Sequence, residues 1–244
     1  MTKSRVAVVA GGTGGIGEGI VSAMLSADYR VYVPTRSADR SDRLRSHLSH
    51  PDSLFTVPAD LGDEHAVAAL RDTVLGAEQH IDAVVVSVGA DYYGYRMHRM
   101  PRKDWNKSIE DNLVTHFNIQ RTFVDQLRKQ NHGSYITLIG PEAENIRPEA
   151  GMLSIMATAQ KMMARVIAQE ASDSDVRVHI LTARTTVRTR SRGAEANTEW
   201  ITAQEIGEYI VRLLEGSLPT AGETLHELRN RDHVREMLKR AVRR

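Results

Sequence analysis

The sequence predicts an α/β fold: a doubly wound parallel sheet of seven strands with helices on both faces. Three observations carry this expectation. Short Val- and Ile-rich runs recur between segments of helical periodicity. Most of these runs lack polar–apolar alternation, as strands covered on both faces do. The first run also leads into five glycines within seven residues, "GGTGGIG" at 11–17, before an apolar-periodic segment opens.

In chain order, "RVAVVA" (5–10) reads as the first strand and is followed by the glycine turn and a helix near 15–27. "YRVYVP" (29–34) precedes a helix near 39–49, and "SLFTVP" (53–58) precedes one near 63–78. "IDAVVVSV" (81–88) leads to a long helix near 104–130, and "SYITLIG" (134–140) to another near 150–172. "VRVHILT" (176–182), a helix near 202–216 and "GETLHEL" (222–228) complete the alternation. Repeated β-α units at this spacing imply right-handed crossovers and a parallel sheet. With no repeat, low-complexity block or linker, residues 1–229 are expected to form one domain, and 230–244 a basic tail of helical pattern. Met152, Met156, Met162 and Met163 lie at helical spacing, which reads as core or subunit contact.

Composition bounds the function classes. The chain has 244 residues, 41% hydrophobic and 26% charged, which suits one sizeable core. A net charge of +1 gives no whole-chain attraction to nucleic acid, and the basic tail lacks the aromatic residues of a nucleic-acid surface. The absence of cysteine excludes disulfides and thiolate chemistry, and suits a reducing cytoplasm. No apolar run approaches the roughly 18 residues of a membrane span. The opening "MTKSRVAVVAGG" enters a strand at once, without the cleavage pattern of a secretory signal. His47 and His50 precede Pro51 without carboxylate partners and read as a helix end.

Gly11, Gly15 and Gly17 form G-x-x-x-G-x-G between a strand and a helix. Glycines there permit a tight turn and close approach of a pyrophosphate, which the helix N-terminus attracts through free N–H groups and a partial positive charge. This loop resembles the signature of short-chain dehydrogenases/reductases, a Rossmann-fold family. The resemblance continues in order through "PADLGD" (58–63), "VVVSVGA" (84–90), "WNKSIEDNLVTHFNIQ" (105–120) and "VRVHILTA" (176–183). It implies cofactor contacts at Gly11, Thr13, Gly15, Ile16 and Gly17, at Asp60 and Leu61, and at Gly89. It places Asn112 at the family's active-site Asn, which supports a water relay to a Lys; a purely structural, helix-bending Asn is the alternative. Arg36, with Ser37 beside it, follows the second strand where Arg favours the 2′-phosphate of NADP(H); NAD(H) and a solvated loop Arg are the alternatives.

The resemblance fails where the chemistry would be. In the family a Ser orients the carbonyl, a Tyr moves its proton, and a Lys four residues on lowers the Tyr pKa. At those three positions this chain has Gly140, Leu153 and Ala157, and no Y-x-x-x-K occurs anywhere. An isolated phenol near pKa 10 is a poor acid at neutral pH, so another group must serve. Tyr92, Tyr93, His98 and Asp91 after the fourth strand, and Glu142, Glu144 and Asn145 after the fifth, are the candidates; each also reads as an ordinary loop residue. Lys161, one turn beyond Ala157, reaches either the site or solvent.

"ARTTVRTRSRG" (183–193) carries Arg184, Arg188, Arg190 and Arg192 in the family's mobile flap. They suit an anionic ligand, or form a solvated basic loop. The expectation is an NADP(H)-binding protein acting on a small carbonyl or hydroxy compound, by redox chemistry or by a non-redox step such as cyclisation or elimination. A non-catalytic nucleotide-binding sensor or partner protein is the alternative. The family resemblance further implies a homodimer or homotetramer through the two long helices.

Overall fold

The computed structural model describes residues 4–90, 92–195 and 197–241. Asp91 and residues 242–244 of the expected tail lie outside the described residues. Seven parallel strands lie in the order β3-β2-β1-β4-β5-β6-β7. They are β1 (Arg5–Ala10), β2 (Tyr29–Thr35), β3 (Leu54–Pro58), β4 (Ala83–Val86), β5 (Gly133–Ile139), β6 (Val176–Ala183) and β7 (Leu225–Leu228). The order reverses between β1 and β4, and the crevice of a doubly wound sheet opens there, at the carboxyl ends of the strands.

Successive side chains of each strand alternate between two buried layers. Ala7 and Val9 face α1 (Gly15–Ser26), α2 (Ala38–His47) and α7 (Ala203–Leu214); Val6, Val8 and Ala10 face α3 (Glu64–Glu78) and α5 (Thr115–Gln130). Because both layers are apolar, the inner strands such as β1 and β4 have no polar face, which is why their sequences do not alternate, whereas the edge strand β7 alternates exposed and buried residues. α6 (Gly151–Glu170) covers β5 and β6 through Ala157 and Ala164 against Ile139 and Ile180.

The expected strand 81–88 is a regular strand over Ala83–Val86, with Asp82 N–H to Val6 O and Ser87 N–H to Ala10 O bonds at its two ends. The expected helix 104–130 is interrupted. α4 (Arg102–Ser108) passes through a wide π-type turn over Ile109–Val114 before α5 begins, and such turns concentrate at functional sites. The basic tail folds as α8 (Arg231–Arg240) and packs on the main core, with Val234 and Met237 buried against the α7 layer. Arg231 and Arg235 both donate to Glu205, at 2.9 and 2.7 Å. That carboxylate also closes the capping box of α7 with Thr202.

Candidate functional site

The glycine loop is built by backbone packing. Gly11 has φ +83°, and a Cβ there would lie 2.3 Å from the Ser87 carbonyl oxygen at the end of β4. A Cβ on Gly17 would lie 2.0 Å from the Gly11 oxygen. Neither position admits a side chain without moving backbone. The loop turns on Gly12 N–H to Val9 O and Gly14 N–H to Gly11 O bonds. Side chains cap α2 (Ser37), α3 (Asp63), α7 (Thr202) and α8 (Asn230), but the N-cap of α1 is Gly14, with no side-chain cap. The first-turn N–H groups of Gly15, Ile16 and Gly17 thus lack a side-chain capping acceptor, and the helix dipole adds partial positive charge there. This arrangement fits a pyrophosphate.

Beyond the ends of β2 and β3, Arg36 faces Asp60 at 3.6 Å. Both side chains are exposed, so the pair contributes at most about 1 kcal/mol and separates readily. Asp60 also accepts the Gly62 N–H at 3.0 Å, and Asn118 on α5 donates to the carbonyls of Leu61 and Gly62, fixing the loop that carries them. Ser37 caps α2 by accepting the Arg40 N–H, leaving its hydroxyl proton free to donate. Asn118 was not anticipated; it lies six residues after Asn112, and nothing local in the sequence links it to Leu61.

Asn112 occupies the π-type turn and is buried. Its Oδ1 accepts the Ala90 N–H at 3.1 Å and its Nδ2 donates to Ser108 O at 3.0 Å, so it anchors the Gly89–Ala90 segment beyond β4. Gly89 itself has room, the nearest atom to a Cβ there being the Asn112 Oδ1 at 3.6 Å. Gln160 on α6 donates to the Asn112 main-chain carbonyl at 3.3 Å. His116, one turn further, is bonded to Val88 O at 2.9 Å, and burial pushes its pKa down. Gln160 and His116 were missed in the sequence, although His116 shares the i,i+4 face of Asn112.

The candidate acids separate. Tyr92 donates to Asp111 at 2.5 Å; burial and that carboxylate push its pKa up to about 12, the wrong direction for a neutral-pH acid, and make it a loop anchor. His98 sits exposed on a short turn, Met97–Arg99, on the rim. Tyr93 and Glu142 do come together: the Tyr93 hydroxyl is 3.4 Å from Glu142 Oε1. Glu142 is 13% exposed, and its Oε2 lies 2.8 Å from the point where a Gly140 Cβ would stand. Arg147 lies 3.8 Å from the same carboxylate and over the Tyr93 ring, 5.8 Å from its centroid. The loops carrying these groups are joined by a Gly94 N–H to Glu149 O bond and a Tyr95–Ala150 bridge.

Beside this trio, Glu144 pairs with Lys161 of α6, which holds its carboxyl below the usual range, and faces Arg184 at 3.9 Å. Asn145 follows on the exposed loop. Of the other flap arginines, Arg190 forks onto Glu18 of α1 at 2.8 and 3.1 Å and Arg192 is exposed. Arg188 lines a cleft of about 410 Å³ between α1, the flap and the start of α7, and Thr189 and Ser191 lie against Gly15. On the far flank, Phe117, Met162 and Val166 of α5 and α6 are exposed around a groove of about 660 Å³. Among the described residues, no helix is long and apolar enough to cross a membrane.

Known proteins share this plan. An acetoacetyl-CoA reductase of Acinetobacter sp. is 24% identical over 186 residues, 74% of each chain. A short-chain type dehydrogenase/reductase of Mycobacterium ulcerans superposes with a TM-score of 0.83 at 18% identity, covering 93% of this chain and 88% of that one. The NADP-bound structure of ElxO superposes with a TM-score of 0.79 at 15% identity, covering 92% and 97%. The short chain dehydrogenase family model matches residues 5–200, and the chain belongs to that family.

Proposed function

We propose that this protein is an NADP(H)-dependent oxidoreductase of a small carbonyl or hydroxy compound, in which Glu142 and Tyr93 supply the proton chemistry. One observation carries the reading: the Glu142 carboxylate fills the space before Gly140, where the family's Ser is expected, with the Tyr93 hydroxyl on it. The family assignment and the NADP-bound relative support the cofactor.

The residues have the following roles. The uncapped first turn of α1, with Gly11 and Gly17 allowing close approach, receives the pyrophosphate. Arg36 exchanges its weak pair with Asp60 for the 2′-phosphate, and Asp60 turns to the adenine amino group. When bound, the cofactor supplies or accepts a hydride. Glu142 is the acid–base: in oxidation its carboxylate takes the substrate hydroxyl proton, in reduction the protonated carboxyl gives a proton to the developing alkoxide and is recharged from water, and the Tyr93 hydroxyl, donating to Oε1, orients it. Arg147 balances the carboxylate charge. Asn112 and His116 hold the chain beyond β4 as one wall.

One observation favours a second reading, nucleotide binding without turnover. Gln160 already takes one acceptor position of the Asn112 carbonyl, and Ala157 stands where the relay's Lys is expected. Paired assays separate the two. Saturable NADPH binding with substrate turnover lost in Glu142→Gln and Tyr93→Phe supports the enzyme; binding without turnover on any carbonyl tested supports the second. For assembly, we propose a homodimer or homotetramer through the exposed apolar strip of α5 and α6.

A further inference from the structure

We infer that Arg184, assisted by Lys161, anchors a carboxylate on the substrate, so that the compound handled is an oxo or hydroxy acid rather than a neutral ketone or alcohol. This deepens the oxidoreductase reading and rests on it for the identity of the reacting group.

Arg184 is the first residue beyond β6, at the carboxyl edge where the site opens. Its backbone N–H is fixed to Leu228 O at 3.0 Å, which sets where the side chain starts. The side chain is 31% exposed, yet its guanidinium makes no hydrogen bond to any described residue; Glu144 at 3.9 Å is a charge neighbour beyond hydrogen-bonding distance. The side chain as a whole is about two-thirds covered, and its planar set of donors has no acceptor among the described residues. The next residue repeats the pattern, since the Thr185 hydroxyl is buried with no partner.

Charge points the same way. Arg184 and Lys161, the latter 21% exposed, share the single carboxylate of Glu144. Arg147 and Glu142 balance each other beside them. Within the contacting group of Arg184, Lys161 and Glu144, two cations face one carboxylate, and the excess positive charge lies on the guanidinium without acceptors. A planar fork of donors matches a carboxylate, which can take two parallel bonds. Arg190 is held by Glu18 and does not compete for this role.

The test uses isothermal titration of the full chain saturated with NADP+. The probes are short 2- and 3-oxo acids and 2- and 3-hydroxy acids, each paired with its methyl ester. At least one acid is expected to bind tenfold or more tighter than its ester, about the contribution of one charged hydrogen bond. Arg184→Gln should erase that preference and Arg184→Lys should retain part of it, with NADP+ affinity within about twofold of the parent in both. Equal binding of every acid and ester overturns the inference. So does an Arg184→Gln loss confined to NADP+ affinity, which would make Arg184 a cofactor residue. If Arg184→Gln does not fold, Lys161→Gln is expected to weaken the preference severalfold, and an unchanged preference there overturns it equally. Should the wild type bind no NADP+, the oxidoreductase reading fails, and the same acid–ester comparison on the cofactor-free protein still decides the anchor.

Discussion

At the α1 end of the crevice the groups available to a ligand are backbone N–H groups of an uncapped helix turn, whereas at the ends of β4, β5 and β6 they are side chains drawn from distant loops. The first region is specified by glycines, of which Gly11 and Gly17 have backbone standing where a Cβ would go. The second depends on pairs such as Tyr93 with Glu142, 49 positions apart, and Gln160 with Asn112, 48 apart. Backbone cradles tolerate little change and so keep a family's signature. Side-chain constellations can be exchanged residue by residue while the strands beneath stay in place, and a family match on the first says little about the second.

The largest effect should come from breaking the backbone half. Gly17→Ala drives a methyl to 2.0 Å from the Gly11 oxygen, a steric conflict of the class that costs about 4 kcal/mol or more. Thermal unfolding should show a collapse in Tm together with loss of NADPH binding; a variant that folds and binds normally would refute the cradle. The side-chain half should respond in rate and not in fold. Glu142→Gln should lower kcat/KM by about 10²–10⁴, the range for a lost general acid–base group, with Tm and NADPH affinity little changed. Loss of NADPH affinity instead would move Glu142 out of the reaction.

A smaller effect tests the bridge between phosphate and adenine. Arg36→Ala should weaken NADPH by about 10–100-fold and NADH hardly at all, since one charged hydrogen-bond set is worth about 1.5–3 kcal/mol. Equal loss for both cofactors would show that Arg36 does not read the 2′-phosphate. The smallest concerns the wall between the halves. His116 is buried with its pKa pushed down, so the native state binds fewer protons than the unfolded chain below the unfolded value near 6.5. Stability from this group is complete above that pH and is lost as pH falls below it. His179 and His226, also buried with lowered pKa, act in the same sense. His116→Gln, which keeps a donor for Val88 O, should make the acid decline in Tm shallower; an unchanged slope would mean His116 is not titrating there.

The same contrast explains what could be read in the residues alone. Most of the strands follow from Val- and Ile-rich runs, and the glycine loop from its spacing, because each is a local pattern. The π-type turn at Ile109–Val114 is invisible to periodicity, since one helix pattern continues through it. The pairing of Tyr93 with Glu142 and the separate tying of Tyr92 to Asp111 were equally hidden, as adjacent tyrosines on a loop give no clue which will turn inward. The four flap arginines read as one basic group, but Glu18 takes Arg190 while Arg184 stands at the end of β6. Each of these outcomes depends on which loops the sheet order brings together.

A crystal structure with NADP+ bound tests the central claim most directly. The account predicts the pyrophosphate on the N–H groups of Gly15–Gly17, Arg36 moved from Asp60 to the 2′-phosphate, and Tyr93 or Glu142 as the polar side chain nearest the reactive nicotinamide carbon. A nicotinamide ring turned away from both, or a cofactor held elsewhere than the α1 N-terminus, would contradict it.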